Sequence, residues 1–417
     1  MVDELRMTLA ECRAELRRRL AEPAPGQIQL VTGPRQVGKT TLLLELADAA
    51  RSRTVYTALD GPEAAVPGHF ARVWQEAEQR ATASAPAVLL LDEVQHLHDW
   101  ATQLKSHHDR LRRRGVSMHV IATGSSALRL MRGSRESLAG RFERLTLAHW
   151  PARALVDEFA LSATAAVKYF VAAGAYPGAV KLRKDPARWA AYVRDAIVEP
   201  AIGRDLLALA AVRRPALLRQ VFALAAASPA QIVSLQKLQG QLQDGGALDT
   251  IAQYLRLLEE AFLIAALDKH SDRPLRRRAA PPKLVVLSNA LCAVVDPRGV
   301  PDPESERDRY AAWVENACLA HAWNRGQQVA YWREEPFAIA GVVQGSWGKL
   351  ALDVKVGRFR LADLRALGEF TSRFPTFRPL LVCDPRDVDA AAAHGIAAIG
   401  WQQFLLNGPT PATNGAT

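Results

Sequence analysis

The sequence predicts an α/β fold built on a buried parallel sheet, and three stretches predict it. Leu30-Val31-Thr32-Gly33-Pro34-Arg35-Gln36-Val37-Gly38-Lys39-Thr40-Thr41 fits G-x-x-x-x-G-K-[ST] and follows the alternating run from Gln27 to Val31. Ala87-Val88-Leu89-Leu90-Leu91 stays apolar until Asp92 and Glu93 end it, the pattern of a strand buried on both faces. Ser117 to Ser126 repeats that pattern and ends in polar residues. Strand, glycine-containing loop and helix arrive in the order that phosphate binding requires.

The chemistry follows from the residue types. Gly33 and Gly38 let the backbone curl so that successive N–H groups face a phosphate. Lys39 reaches the β/γ oxygens of ATP, and the Thr40 hydroxyl takes a place on Mg²⁺. Pro34, Arg35, Gln36, Val37 and Thr41 complete the candidate nucleotide-binding loop. Leu42 to Ala47 continues as a helix whose N-terminal dipole favours the anion. Asp92 is the second candidate Mg²⁺ ligand, and Glu93 can orient and deprotonate an attacking water. An acid pair that merely caps a turn is the alternative. The Asp-Glu adjacency points to hydrolysis rather than phosphoryl transfer to a small molecule.

Thr123, Ser125 and Ser126 are candidates for touching the γ-phosphate or its water; a satisfied turn is the other reading. Arg141, in the Gly140-Arg141 step of a strand region from Leu138 to Leu147, is a candidate finger into a neighbouring subunit's site. A surface arginine would look the same. Elsewhere in this half, Met1 to Ala21 reads as an amphipathic helix with Leu5, Leu9, Cys12, Leu16 and Leu20 on one face. Arg53 to Asp60 reads as a strand, and Phe70 to Ala83 as a helix.

Composition sets the outer bounds. A chain of 417 residues has room for roughly two to four domains, and 49% hydrophobic with 23% charged residues is ordinary globular composition. The net charge of +10 points to a polyanionic partner, DNA first, although a basic bias of a whole proteome would look the same. Cys12, Cys292, Cys318 and Cys383 form no C-x-x-C pair, so they support neither zinc nor a disulfide framework and fit a reducing cytoplasm. The N-terminus has no apolar signal core. Phe159 to Val180, the longest weakly apolar stretch, is broken by Lys168 and Pro177, so no membrane span is expected.

Taken together, Thr32 to Thr41, Leu89 to Gln95, Thr123 to Ser126 and Gly140-Arg141 resemble the AAA-type ATPase domain of a widespread bacterial and archaeal family. The family's members look like this chain over nearly its whole length: ATPase, winged helix, and a C-terminal domain of unknown function similar to PD-(D/E)xK nucleases. The resemblance implies Lys39 and Thr40 for nucleotide and Mg²⁺, Asp92 and Glu93 for hydrolysis, Thr123 as a sensor and Arg141 as a trans-acting finger. It also implies a homo-oligomer, a hexameric ring being one form.

Residues 1–150 are therefore expected to form the AAA-type core. Beyond them the chain turns helical and Ala-rich, interrupted at Gly174 to Gly178, and 151–205 reads as a helical lid. Helices at Leu206 to Ala227, Ile232 to Gln243 and Leu248 to Ala261, with strands at Phe262 to Ile264 and Leu284 to Leu287, read as a winged helix over 206–290. Its wing carries Arg273, Arg276, Arg277 and Arg278, candidates for DNA phosphate contacts; a solvated charge run is the alternative.

From about Leu291 to residue 406 a helix at Tyr310 to Trp323 and five strands suggest a nuclease-like α/β domain. Asp353-x-Lys355 ends one strand and Glu315 lies on the helix, but Ala340 stands where the family has a metal-binding aspartate. Residues 407–417 read as a disordered tail. Three functions fit: a DNA-associated oligomeric ATPase, favoured here; an ATP-governed switch that binds a protein or promoter; and an active ATP-dependent nuclease, disfavoured by Ala340.

Overall fold

The computed structural model describes residues 6–49, 51–82, 85–124, 138–207, 212–243, 246–272, 280–357 and 359–409. They divide into two compact units, one up to Ala148 and one from His149 onward.

Six strands build the first unit: β1 (Arg6–Met7), β2 (Ile28–Thr32), β3 (Thr54–Ala58), β4 (Ala87–Asp92), β5 (Met118–Thr123) and β6 (Phe142–Leu147). Their order is β1-β6-β2-β5-β4-β3, and every pair is parallel. A sheet covered on both faces needs apolar side chains at successive positions, and all residues of β2, β4 and β5 are buried. Helices α1 (Leu9–Leu20), α2 (Lys39–Ala49), α3 (His69–Gln79) and α4 (Trp100–Arg114) alternate with the strands. Trp74, Leu89, Leu104, Leu111 and Val120 belong to the core between α3, α4 and the sheet.

One expectation is corrected and one element is new. The first helix begins at Leu9, because Thr8 and Glu11 form a reciprocal capping box that fixes the start, and Arg6-Met7 instead pairs with Thr146-Leu147. Helix α4 was not anticipated, although Leu104, His108 and Leu111 recur at helical spacing on its buried face.

The second unit begins with four helices, α5 (Ala152–Phe159), α6 (Ala163–Ala173), α7 (Pro177–Lys181) and α8 (Pro186–Tyr192). The last runs on not as α-helix but as wider π-turns at Val193–Val198 and Ala201–Leu206. Pro200 lies between the two turns; it has no N–H to give, and its ring would clash with a carbonyl four residues back. Next come α9 (Pro215–Ala226), β7 (Gln231–Ile232), α10 (Leu235–Gln241), α11 (Leu248–Glu260), β8 (Ile264–Leu267) and β9 (Lys283–Val286). The strands form an antiparallel sheet in the order β7-β9-β8. Ile232, expected in a helix, is thus in a strand, and Ser234 caps the helix that follows.

After α12 (Asn289–Val295), the long helix α13 (Arg307–Asn324) is buried on nearly every side from Trp313 onward. Beyond it lie β10 (Gln328–Glu334), β11 (Phe337–Gly345), β12 (Gly348–Lys355), α14 (Arg365–Arg373), β13 (Arg378–Cys383), α15 (Val388–Ala392), β14 (Ala398–Gly400) and α16 (Trp401–Asn407). The five strands pair in chain order, antiparallel as far as β12 and parallel from there to β14. Asn316 of α13 bonds both the N–H and the carbonyl of Val286, at 2.9 and 2.8 Å, tying β9 to the helix. Residues 410–417, most of the expected tail, lie outside the described residues.

Candidate nucleotide site

In a parallel sheet every strand brings its carboxyl end to one edge, where ligands of open α/β folds bind. At that edge Thr32 ends β2, Asp92 ends β4 and Thr123 ends β5. Because β5 lies between β2 and β4, Thr123 stands between the phosphate loop and the acid pair. It is in register with Val31, whose carbonyl accepts the Gly124 N–H at 3.2 Å.

The loop between β2 and α2 has the curl its sequence demands. Gly33 has φ +148°, and a Cβ there would lie 2.0 Å from the Leu147 carbonyl oxygen. Gly38 has room for a side chain but sits at φ +100°, which L residues rarely adopt. Gln36 is also left-handed, at φ +61°. Pro34 and Val37 are buried, Arg35 is half-buried, and Thr40 and Thr41 are exposed on the first turn of α2. Lys39 is buried, and its ammonium donates to the carbonyls of Gly33 and Pro34 at 3.0 and 2.7 Å. A buried ammonium needs such acceptors, so the loop itself holds the lysine folded over it.

The acid pair is built around one hydroxyl. Thr123, fully buried, donates its Oγ1 proton to Asp92 and accepts the Glu93 backbone N–H at 3.2 Å. The other oxygen of Asp92 accepts the Tyr56 hydroxyl at 3.1 Å. Burial, reinforced by the Asp92 charge, pushes the Tyr56 hydroxyl well above the usual tyrosine range, so it stays a donor. Glu93 sits at φ +53°, ψ +47°, a conformation that costs energy for a residue with a Cβ, and its carboxylate accepts from the Gln95 side-chain amide. The turn therefore aims two neighbouring acids in different directions: Asp92 inward, Glu93 to a half-buried position.

Arg141 is elsewhere. It precedes β6, its carbonyl accepts the N–H of Ile28 at the start of β2, and the length of that strand, about 15 Å, separates it from the loop it follows in the sheet. Its guanidinium forms a two-pronged pair with Asp109 of α4, at 2.7 and 3.1 Å, and donates to the Ala139 carbonyl at 3.1 Å. That contact holds the Asp109 carboxyl below its ordinary range and raises Arg141. The structure thus brings the loop, Asp92, Glu93 and Thr123 together and leaves Arg141 at the opposite sheet edge. Ser125, Ser126, Arg273, Arg276, Arg277 and Arg278 lie outside the described residues.

Sequence reasoning missed three partners. Tyr56 was legible only as a strand residue, Gln95 only as part of a motif string, and Asp109 lies on the unanticipated α4. Among the described residues no group of three or more His, Cys, Asp and Glu side chains is placed to hold a metal. No helix among them is long and apolar enough to cross a membrane.

Residues 25–155 match the family model described as an AAA domain, and residues 164–301 match a domain of unknown function (DUF8612). Two uncharacterized proteins, from Mycobacterium bovis and Mycobacterium tuberculosis, are each 26% identical over 281 residues, 67% of this chain. The chain spans 57% of the length of these relatives. Among solved structures, RuvB of Thermotoga maritima aligns over 62% of this chain and 87% of its own, with 19% identity and a TM-score of 0.33. A katanin structure aligns over 40% and 51%, with 17% identity and a TM-score of 0.26. The match over residues 25–155 and the loop, strand order and acid pair that lie within them make this part of the chain an AAA-family P-loop domain.

Proposed function

We propose that this chain hydrolyses ATP and, as a homo-oligomer in the cytoplasm, uses the turnover to move or remodel DNA. The observation that carries the reading is the convergence of Lys39, Asp92, Glu93 and Thr123 on one sheet edge. Thr40 and Asp92 fit a Mg²⁺ ion by donor chemistry, an exposed hydroxyl and a carboxylate, both hard oxygen ligands. Bound with ATP, the ion neutralises phosphate charge. Lys39 then exchanges loop carbonyls for phosphate oxygens, Glu93 orients water and accepts its proton, and Thr123 holds both acids in place. A site completed by Arg141 of a second copy fits the distance between Arg141 and its own loop.

DNA is supported by the net charge of +10 and by the sequence between β8 and β9, which carries Arg273, Arg276, Arg277 and Arg278. The order helix, strand, helix, helix, strand, strand from Pro215 to Val286 supports a winged helix. The mixed five-stranded sheet after α13 supports a nuclease-like domain, which we read as non-cutting because Ala340 brings no carboxylate. The test is ATP turnover with and without duplex, branched and single-stranded DNA. Stimulation in the parent and none in Glu93→Gln supports the proposal. Turnover indifferent to DNA, with no salt-sensitive binding, moves the function to an ATP-governed protein switch.

A further inference from the structure

The nuclease-like reading leads one to expect a divalent metal between Glu315, Asp353 and the residue at position 340. The residues present fit one poorly, because Glu315 and Asp353 each already face an ammonium and position 340 brings no carboxylate. Asp353, 2% exposed, accepts the backbone N–H groups of Ala340 and Val354 on one oxygen, at 3.3 and 3.2 Å, and its other oxygen faces the Lys355 ammonium at 3.1 Å. The Glu315 carboxylate and the Ala340 carbonyl both accept from one further group, the ammonium of Lys283, with 2.9 Å to the carbonyl. Lys283 is 5% exposed and belongs to β9, the central strand of the three-stranded sheet, rather than to the five-stranded sheet. Its long stem carries a positive charge into the acids from outside their own domain range.

We propose that the Lys283 ammonium is the resident cation of this cluster, standing in the position a divalent ion would take, and that it excludes metal from it. Two acids, Glu315 and Asp353, face two ammoniums, Lys283 and Lys355, so the charges of the cluster balance without an ion. A metal entering would have to displace a covalently tethered cation, whose effective concentration beside the acids is far above that of free Mg²⁺. With Asn316, the same contact also fastens β9 to α13. The inference rests on the nuclease-like reading only for the expectation of a metal; the charge balance stands without it.

The test is Mn²⁺ binding to the full chain, without nucleotide, followed by electron paramagnetic resonance. Lys283→Met removes the charge and keeps most of the volume. It should bind one Mn²⁺ more than the parent, at least about tenfold tighter than any parental binding through this site, and lose it again in Lys283→Met/Asp353→Asn. Lys283→Arg, which keeps a cation, should show no gain. A folded Lys283→Met protein without the extra ion overturns the proposal. So does parental Mn²⁺ binding that Asp353→Asn removes, a result that would leave the nuclease-like reading intact. If Lys283→Met melts early, Mn²⁺ should raise its melting temperature and not the parent's; failure of that rescue also counts against a cation position.

Discussion

The Thr123 hydroxyl is committed on both sides, donating to the Asp92 carboxylate and accepting the Glu93 backbone N–H at 3.2 Å. One side chain thereby holds the Asp92 carboxylate and the backbone of Glu93. Thr123→Val keeps the shape and loses both bonds, leaving a buried carboxylate oxygen and an N–H short of partners. We expect a loss of about 1–3 kcal/mol in unfolding free energy. ATP turnover should fall on the order of 10²-fold, with Thr123→Ser recovering most of it. Denaturant melts and steady-state hydrolysis measure the two effects; full turnover in Thr123→Val would remove Thr123 from the mechanism.

Lys39 and Glu93 should separate binding from chemistry. Lys39→Ala takes away the ammonium that leaves the Gly33 and Pro34 carbonyls for phosphate, so ATP binding should be lost. Glu93→Gln keeps the site's charge on Asp92 and Lys39 but cannot accept a proton, so ATP binds and is not hydrolysed. Equilibrium binding of a fluorescent ATP analogue and phosphate release decide it. Parental hydrolysis in Glu93→Gln shows that another group activates the water.

Arg141 is paired with Asp109 at the sheet edge away from its own loop, so the role proposed for it in hydrolysis is on a neighbour's nucleotide. Arg141→Ala should be inactive alone and partly rescued by mixing with Glu93→Gln protein, because mixed oligomers contain some intact sites. Asp109→Asn, which frees the guanidinium, should retain activity. Absence of rescue in verified oligomers points to Arg144 or to a site completed within one chain.

How much of this could be read beforehand depended on how local the determinant was. The phosphate loop is encoded by consecutive residues, since Gly33 and Gly38 answer to backbone geometry alone, and its position after a buried strand was legible. Asp92 and Glu93 were legible for the same reason. Tyr56 reaches Asp92 only because β3 lies against β4, a pairing of residues 36 positions apart that no local pattern announces. Likewise Lys283 meets Glu315 across 32 positions, and nothing in Pro282-Lys283-Leu284 marks that lysine as buried. The start of the first helix was misplaced because Leu5 fits the apolar period, whereas the Thr8 to Glu11 capping box decides where the helix begins.

His321 gives the second unit a calculable acid sensitivity. It is enclosed against Trp347 and Phe404, and burial drives its pKa from the ordinary 6.5 down to about 3. The unfolded chain therefore binds a proton below about pH 6.5 that the folded chain refuses until about pH 3. Stability from this group is complete above pH 6.5 and falls as pH drops. Between pH 6.5 and 5 the loss should be about 2 kcal/mol. His321→Leu should flatten the pH dependence relative to the parent by that amount in denaturant melts; an unchanged slope would mean that the ring protonates in the folded state.

DNA binding, if it runs through the wing arginines and the basic surface, has an electrostatic signature that protein binding lacks. Each neutralised phosphate releases condensed counterion, so contact with about six phosphates gives a slope of log K against log salt near −5 on duplex DNA. Replacing Arg276, Arg277 and Arg278 together with alanine should flatten that slope by about 3, one phosphate per arginine, and weaken binding nearly equally on unrelated sequences. Backbone contacts position a protein without reading bases, so sequence preference should be slight in the parent as well. Fluorescence anisotropy across a salt series reads all three quantities at once. A parental slope near zero, or a triple variant whose slope matches the parent's, would take DNA recognition away from this wing.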